Sequence, residues 1–413
     1  LNPESWAISR SDRMIKGQDS RHIAFGNSFS QDGHKDLKVD YLLANPPFGV
    51  EWKKVKEEVE WEHKNLGDAG RFGAGLPRIN DGSLLFLQHM LSKMNSPANG
   101  GGRVAIVFNG SPLFTGAAES GESNIRRWII ENDWLEAVVA LPDQLFYNTG
   151  ISTYFWILTN RKTPEHRGKV VLLDARDYWE KMRKSLGDKR KRISDSQIEE
   201  ITRLYANAID AAANPDHPQH AKVKVFANSD FGYRRITVER PLRLRFELTA
   251  EALDKLATSA QIGKLYSDAE VFRALLRPLV GTGWATKAEA INALKDAVVG
   301  AGEPWPTGAP FAKLLRETLG VRDPEGEIQL IKGAPEPDPE LRDYENVPLA
   351  EDVEEYLARE VLPHVPDAWI DHSKTKVGYE IPFTRHFYVY TPPRPFEGPE
   401  TFRTAKFWSS QAA

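Results

Sequence analysis

Five short apolar runs constrain this chain more than anything else in it: "VDYLLA" (39–44), "RVAIVF" (103–108), "LEAVVAL" (135–141), "STYFWILT" (152–159) and "KVVLLDA" (169–175). Each is too short for an ordinary helix and rich in β-branched or aromatic residues, so each reads as a strand. Near-continuous apolarity, rather than alternation, belongs to strands covered on both faces. Helical segments sit between and around them. "NPESWAISRSDRMIK" (2–16) has Asn2 as a cap and Pro3 in the first turn, and "SLLFLQHMLSKM" (83–94) and "SNIRRWIIEN" (123–132) are further helices. "WKKVKEEVEWEHKN" (52–65) reads as a charged helix or a loop, and "HIAFG" (22–26) as one more short strand. The alternation predicts an α/β layer with a largely parallel sheet.

At 413 residues the chain exceeds one ordinary domain. The α/β layer is expected over 1–175. A basic connecting segment follows over 176–260, with a helix at 195–213 capped by Asp195 and a hairpin-like pair, "AKVKVFA" and "RRITVER". Residues 261–413 read as mostly helical, with "PEPDPELRD" (335–343) as a linker. The net charge of −4 advertises no polyanion partner, so a nucleic-acid surface would have to be local. The absence of cysteine excludes disulfides, thiolate nucleophiles and Cys-based zinc sites, and fits a reducing, cytoplasmic setting. The ten histidines show no metal-binding spacing, so no metal is expected. No apolar run reaches membrane-spanning length.

"LLANPPFG" carries the chemistry. Asn45-Pro46-Pro47-Phe48 follows an apolar strand, and the carboxyl ends of strands are where open α/β sheets bind ligands. As a plain feature it is a turn, since Asn-Pro forms turns and prolines end strands. Its parts also suit the gripping of a planar group with an exocyclic NH₂. The Asn45 amide oxygen and the Pro46 carbonyl can each accept one N–H, which localises the nitrogen lone pair, and Phe48 can stack on the ring. A base in a duplex must flip out to reach such a pocket.

The chain resembles the adenine-N6 DNA methyltransferases, and more closely the modification subunit of type I restriction–modification systems. The matching stretches are "NPESWAISRSDRMIKGQD", "GNSFSQD", "LLANPPFG", "DGSLLFLQHML", "RVAIVFNGSPLF", "LPDQLFYNTGISTYFWIL", "LRDYENVPL" and "KTKVGYEIPFTRHFY"; the resemblance is weakest over 200–330. It implies a Rossmann-like S-adenosylmethionine-dependent methyltransferase sheet, followed by a mostly helical C-terminal region. It implies adenine-specific methylation of double-stranded DNA, with a specificity subunit and a restriction subunit as partners. It places the target adenine at Asn45, Pro46, Pro47 and Phe48, and the cofactor adenine at Asn27 and Ser28. Asn109, Phe146 and Tyr147 would stand near the flipped base. For Asn27 the plain alternative is a turn residue, and for the two aromatics it is core packing.

The family's glycine-rich cofactor turn, and the acidic residue for the ribose, should both precede Leu1. "GAG" (73–75), "GGG" (100–102) and "GTG" (281–283) do not replace that turn, since a lone G-x-G is weak evidence. The chain is therefore expected to lack the first strands of the sheet and to be an incomplete, inactive fragment. Its tail "FEGPETFRTAKFWSSQAA" also departs from the family. Two other classes stay open: a methyltransferase acting on the glutamine amide of proteins, and a non-catalytic scaffold fragment. Lys189, Arg190, Lys191 and Arg192 close a dense basic run that reads either as a phosphate-contacting loop or as a solvated helix end.

Overall fold

The computed structural model describes residues 2–147, 149–390 and 392. The chain divides into two compact units, one reaching Gly232 and resuming at Gly378, the other spanning Tyr233–Val377. The division thus falls at 232/233 and 377/378, not at 175/176 and 260/261.

The first unit is built on a six-stranded sheet. Its strands, with an intervening hairpin, are β1 (Tyr41–Ala44), β2 (Arg103–Phe108), β3 (Leu135–Leu141), β4 (Thr153–Thr159), β5 (Lys169–Asp174), β6 (Glu180–Leu186), β7 (Lys189–Arg192) and β8 (Val223–Ala227). The sheet order is β1-β2-β4-β3-β5-β8, and β6 pairs with β7 apart from it. β1 runs parallel to β2, and β3 parallel to β5, while β4 is antiparallel to both of its neighbours. All five apolar runs are therefore strands of one mixed sheet. The helices are α1 (Pro3–Ile15), α2 (Lys56–Leu66), α3 (Ser83–Ser92), α4 (Ser111–Phe114), α5 (Gly121–Glu131), α6 (Asp195–Ala206) and α7 (Ala208–Ala213).

Burial follows from the apolar runs. One sheet face sets Val139, Val171 and Leu173 against Leu204, Ala208 and Ala211 of α6 and α7. Val104, Ile106, Phe108, Trp156 and Leu158 are wholly buried, and the Phe108 and Trp156 rings meet edge to face at 5.4 Å. Each such side chain stabilises the fold by about 1.5–3 kcal/mol relative to exposure. A separate cluster of Phe29, Trp52, Val55, Val59, Phe72 and Leu85 gathers the loops around α2 and α3.

Four local expectations change. "HIAFG" is not a strand. Asp19 caps a 3₁₀ turn at Ser20–His22, and the Trp6 indole donates to the Ile23 carbonyl, so backbone groups there are satisfied locally. "VDYLLA" is a strand but not a buried one: among the described residues β2 is its only neighbour, and Leu43 is 81% exposed. The helix at 195–213 is two helices, and the capping residue is Ser194, whose N–H donates to Gln197 Oε1 at 3.0 Å. The basic run is neither a loop nor a helix end but the β6–β7 hairpin.

"AKVKVFA" and "RRITVER" do not pair with each other. The first becomes β8 and borders β5. The second lies in the strand Gly232–Glu239, which pairs with Asp343–Pro348. In the second unit five helices between Ala250 and Leu319 pack on the strand Arg243–Glu247 around Leu253, Phe272, Leu294 and Phe311. Short strands follow from Gly320. Residues 335–343 are no free linker: Asp338 is buried, its N–H donates to the Arg240 carbonyl, and its carboxylate accepts from Arg322.

Candidate active site

β1, β2, β3 and β5 point the same way, so their carboxyl ends share one sheet edge. Ala44 lies level with Ile106, which brings Asn45 after β1 and Asn109 after β2 to neighbouring positions on that edge. Pro46 is buried, Asn45 and Pro47 are exposed, and Phe48 is half-buried. Gly49 then takes φ +61°, a left-handed conformation that a glycine adopts without steric cost and that turns the chain away.

The chain leaving Asn-Pro-Pro-Phe is clamped by the loop at 76–82. Gly82 N–H donates to the Val50 carbonyl at 2.9 Å, Trp52 N–H to the Ile79 carbonyl at 3.0 Å, and the Trp52 indole to the Arg78 carbonyl at 2.9 Å. The same loop grips the turn after Asn109. Arg78 Nη2 donates to Ser111 Oγ, which itself donates to Asp81 Oδ2, both at 3.2 Å. Asn109 Oδ1 accepts from Ser111 N–H at 3.1 Å and opens α4. Glu122 holds the loop to α5 by accepting from Arg78 N–H at 3.0 Å. The sequence marks Asn45 and Asn109 but not Arg78, Asp81, Ser111 or Glu122, which hold the two turns on one scaffold.

"GAG" has a structural use here. A Cβ on its Gly75 would stand 2.7 Å from the Gly121 carbonyl oxygen, and a Cβ on Gly121 1.7 Å from the Leu76 carbonyl oxygen, so two backbones meet where no side chain fits. The C-terminal stretch "YEIPFTRHFY" returns to this same unit. Ile381 N–H donates to the Leu113 carbonyl, Phe383 packs on Tyr154 at 5.4 Å, and Arg126 on α5 donates to the Tyr379 carbonyl at 2.6 Å.

Phe146 is half-buried and Tyr147 is 61% exposed on the loop after β3. The basic hairpin lies against this loop. Lys189 Nζ stands 5.1 Å from the Tyr147 ring centroid, and Lys191 pairs with Asp143. Arg192 pairs with Glu180 at 2.8 Å. Arg190 is exposed with no ion pair among the described residues.

Asn27 and Ser28 lie off the sheet edge strands, in a compact loop. Asn27 Oδ1 accepts from Phe29 N–H at 2.9 Å, so its side chain closes a local turn. Ser28 is exposed and borders a cleft of about 200 Å³ shared with Gly26, Leu42, His89 and Lys93. That is below the roughly 300 Å³ at which small-molecule sites begin. This cleft by itself therefore does not enclose a whole S-adenosylmethionine. A charged network backs the residues of this cleft: Arg71 makes a paired bond to Glu62 and donates to the Ser28 and Phe29 carbonyls and to His89 Nδ1. Burial, with the Arg71 cation beside it, pushes the His89 imidazole down to about 4. A larger cleft of about 970 Å³, lined by Phe29, Glu62, Arg71 and Lys93 together with Trp61, Trp128 and Trp134, adjoins the same loop and network.

Among the described residues no group of three or more His, Asp or Glu could hold a metal ion. No described helix is long and apolar enough to cross a membrane.

The N-6 DNA Methylase family matches residues 1–235, and the chain belongs to that family. It is 34% identical over 178 residues to the Type I restriction enzyme HindI methylase subunit of Haemophilus influenzae, a match covering 43% of this chain and 36% of that one. It is 25% identical over 213 residues to the MjaIX methylase subunit of Methanocaldococcus jannaschii, covering 48% and 33%. The chain thus spans about a third of the length of the curated relatives it matches. Among solved structures it is similar to the methyltransferase subunit of a type I restriction–modification system from Streptococcus thermophilus, at TM-score 0.43 and 22% identity, over 55% of this chain and 43% of that one.

Proposed function

We propose that this chain carries the acceptor-base side of a site-specific adenine-N6 DNA methyltransferase, working as modification subunit of a type I restriction–modification system. The observation that carries this reading is Asn-Pro-Pro-Phe at the carboxyl end of β1, level with Asn109, in a member of the N-6 DNA methylase family. The substrate is an adenine flipped from double-stranded DNA. Its exocyclic amine donates to Asn45 Oδ1 and to the Pro46 carbonyl. Phe48 stacks on the ring, and the Asn109 turn forms a wall beside it. Pulling on both amine hydrogens localises the nitrogen lone pair, so positioning and electrostatics carry the rate.

S-adenosylmethionine, when bound, supplies an electrophilic methyl group. Ser28 and its cleft stand where the resemblance puts the cofactor adenine, but a cleft of about 200 Å³ takes only part of such a molecule. Phe146 and Tyr147 border the flipped base, and the hairpin's exposed cations meet DNA phosphates. A specificity subunit and a restriction subunit complete the assembly, and the setting is cytoplasmic. Family membership favours a base amine over a protein amide as acceptor.

The test is Asn45→Ala in the assembled modification enzyme. Methyl transfer should fall by about 10²–10³, the usual cost of removing a charge-directing partner, with cofactor binding unchanged. Near-normal turnover would sink the assignment.

A further inference from the structure

The basic run does not act as one surface. Along β7 successive side chains alternate sides. Lys189 and Lys191 turn toward the loop after β3, and Arg190 and Arg192 turn away. Lys191 is the most engaged of the four. Its Nζ donates to Asp143 Oδ1 and stands 4.1 Å from the Trp179 ring, and its side chain is only 17% exposed. The backbone joins in: the N–H groups of Arg190 and Lys191 both donate to the Gln144 carbonyl, at 3.0 and 3.2 Å. Gln144 holds φ +57°, a left-handed conformation that is uncommon for a residue with a side chain. Such a conformation persists only where its surroundings over-determine it. Here the surroundings are the hairpin. Three residues further along the same loop, the Tyr147 ring lies under Lys189.

Lys191 cannot serve a phosphate while its ammonium lies between Asp143 and Trp179. The exposed cations Lys181, Arg183, Lys184 and Arg190 have no ion pair among the described residues and are the ones open to DNA.

We infer that Lys191 and Asp143 are a positioning pair. They lock the loop that carries Phe146 and Tyr147 onto the hairpin, so that DNA held by the exposed cations fixes the loop at the flipped base. The inference rests on the proposed function for its DNA step, and the clamp itself is a property of the fold. No group in it changes covalent state.

The test uses the assembled modification enzyme with 2-aminopurine at the target adenine. Lys191→Met and Asp143→Asn should leave the salt dependence of DNA binding at the wild-type slope. Each should lower kcat at saturating DNA about tenfold or more and reduce the flipped-base fluorescence. The exchange Asp143→Lys with Lys191→Asp should recover most of both signals. Arg190→Gln should instead flatten the log–log salt slope by about 0.9, one phosphate's share. A Lys191→Met slope reduced like that of Arg190→Gln would make Lys191 a phosphate contact and overturn the inference. Single-variant defects that the exchange fails to recover would overturn the pairing.

Limited proteolysis of the chain itself provides an arm independent of catalysis. The single variants should open residues 143–147 to cleavage several-fold faster, and the exchange should close them. Wild-type enzyme that methylates no adenine, together with this cleavage pattern, would reject the proposed function and keep the clamp. Equal cleavage of all variants would reject the clamp.

Discussion

Replacing Arg126 with Met should loosen the C-terminal return onto the first unit and lower its melting temperature. Arg126 is wholly buried on α5. Its Nε donates to the Tyr379 carbonyl at 2.6 Å and its Nη1 to the Pro112 carbonyl at 3.1 Å. It therefore ties α5 to α4 and both to a segment more than 250 residues away in sequence. Hydrogen bonds from a charged donor contribute roughly 1.5–3 kcal/mol each. Losing both costs roughly 3–6 kcal/mol, because Met fills similar space but leaves two buried carbonyls without these donors. A unit of this size shifts by about 2–4 °C per kcal/mol, so the melt should fall by at least ~6 °C.

The assay is a thermal melt paired with limited proteolysis at 378–388. Tyr379→Phe is the control. It removes only the hydroxyl's 3.0 Å bond to Glu131 and should cost about 1 kcal/mol. The consequence reaches the candidate site, because the return brings Phe383 against Tyr154, and Tyr154 covers Gly110 beside Asn109. A melt within ~2 °C of wild type, with 378–388 still protected, would refute the idea that Arg126 holds the return in place.

Three further outcomes are expected. Gly121→Ala should destabilise by at least ~2–3 kcal/mol in urea unfolding, since the new Cβ meets the Leu76 carbonyl oxygen at 1.7 Å and neither backbone can yield; an unchanged midpoint would mean that the loop at 76–82 moves freely. His89, held down at about 4 against 6.5 when unfolded, favours the native state fully above pH 6.5 and loses up to about 3 kcal/mol as pH falls to 4; His89→Gln should flatten stability across that window, and a pH profile identical to wild type would contradict it. Leu43→Lys should lower the light scattering of concentrated samples, because among the described residues β1 has a strand on one side only and Leu43 is 81% exposed; unaltered scattering would mean that this face drives no association.

The sheet was legible because its signal is local. "RVAIVF" and "LEAVVAL" become strands over the same residues as read, since a run covered on both faces needs no partner to be recognised. "VDYLLA" has the same texture, but its cover depends on what lies beside it, and no period in the sequence encodes that. "HIAFG" looked like a strand for its Ile and Phe, while a capping carboxylate at Asp19 and an indole at Trp6 took its backbone elsewhere. β8 and the strand after it appeared to be a hairpin because they are adjacent in sequence. In the structure they join different units, a choice made by distant partners at β5 and at 343–348.

The candidate site divides in the same way. Asn45 is a candidate because its tetrapeptide ends an apolar strand; alone, Asn-Pro-Pro-Phe reads as a turn. Arg78, Asp81 and Ser111 are not legible as candidates, because each is an ordinary surface residue type whose role comes from contacts about 30 or more positions apart. Asn27 shows the converse. Its residue type fits a ligand contact, yet its oxygen accepts from the turn it starts, and it is Ser28, held from behind by Arg71, that borders the cleft. The basic run was legible as charge but not as shape. Only the hairpin's alternation separates the cations that face the aromatic loop from those that face solvent. Under the proposed function, that separation decides whether neutralising a cation weakens the grip on DNA or releases the aromatic loop.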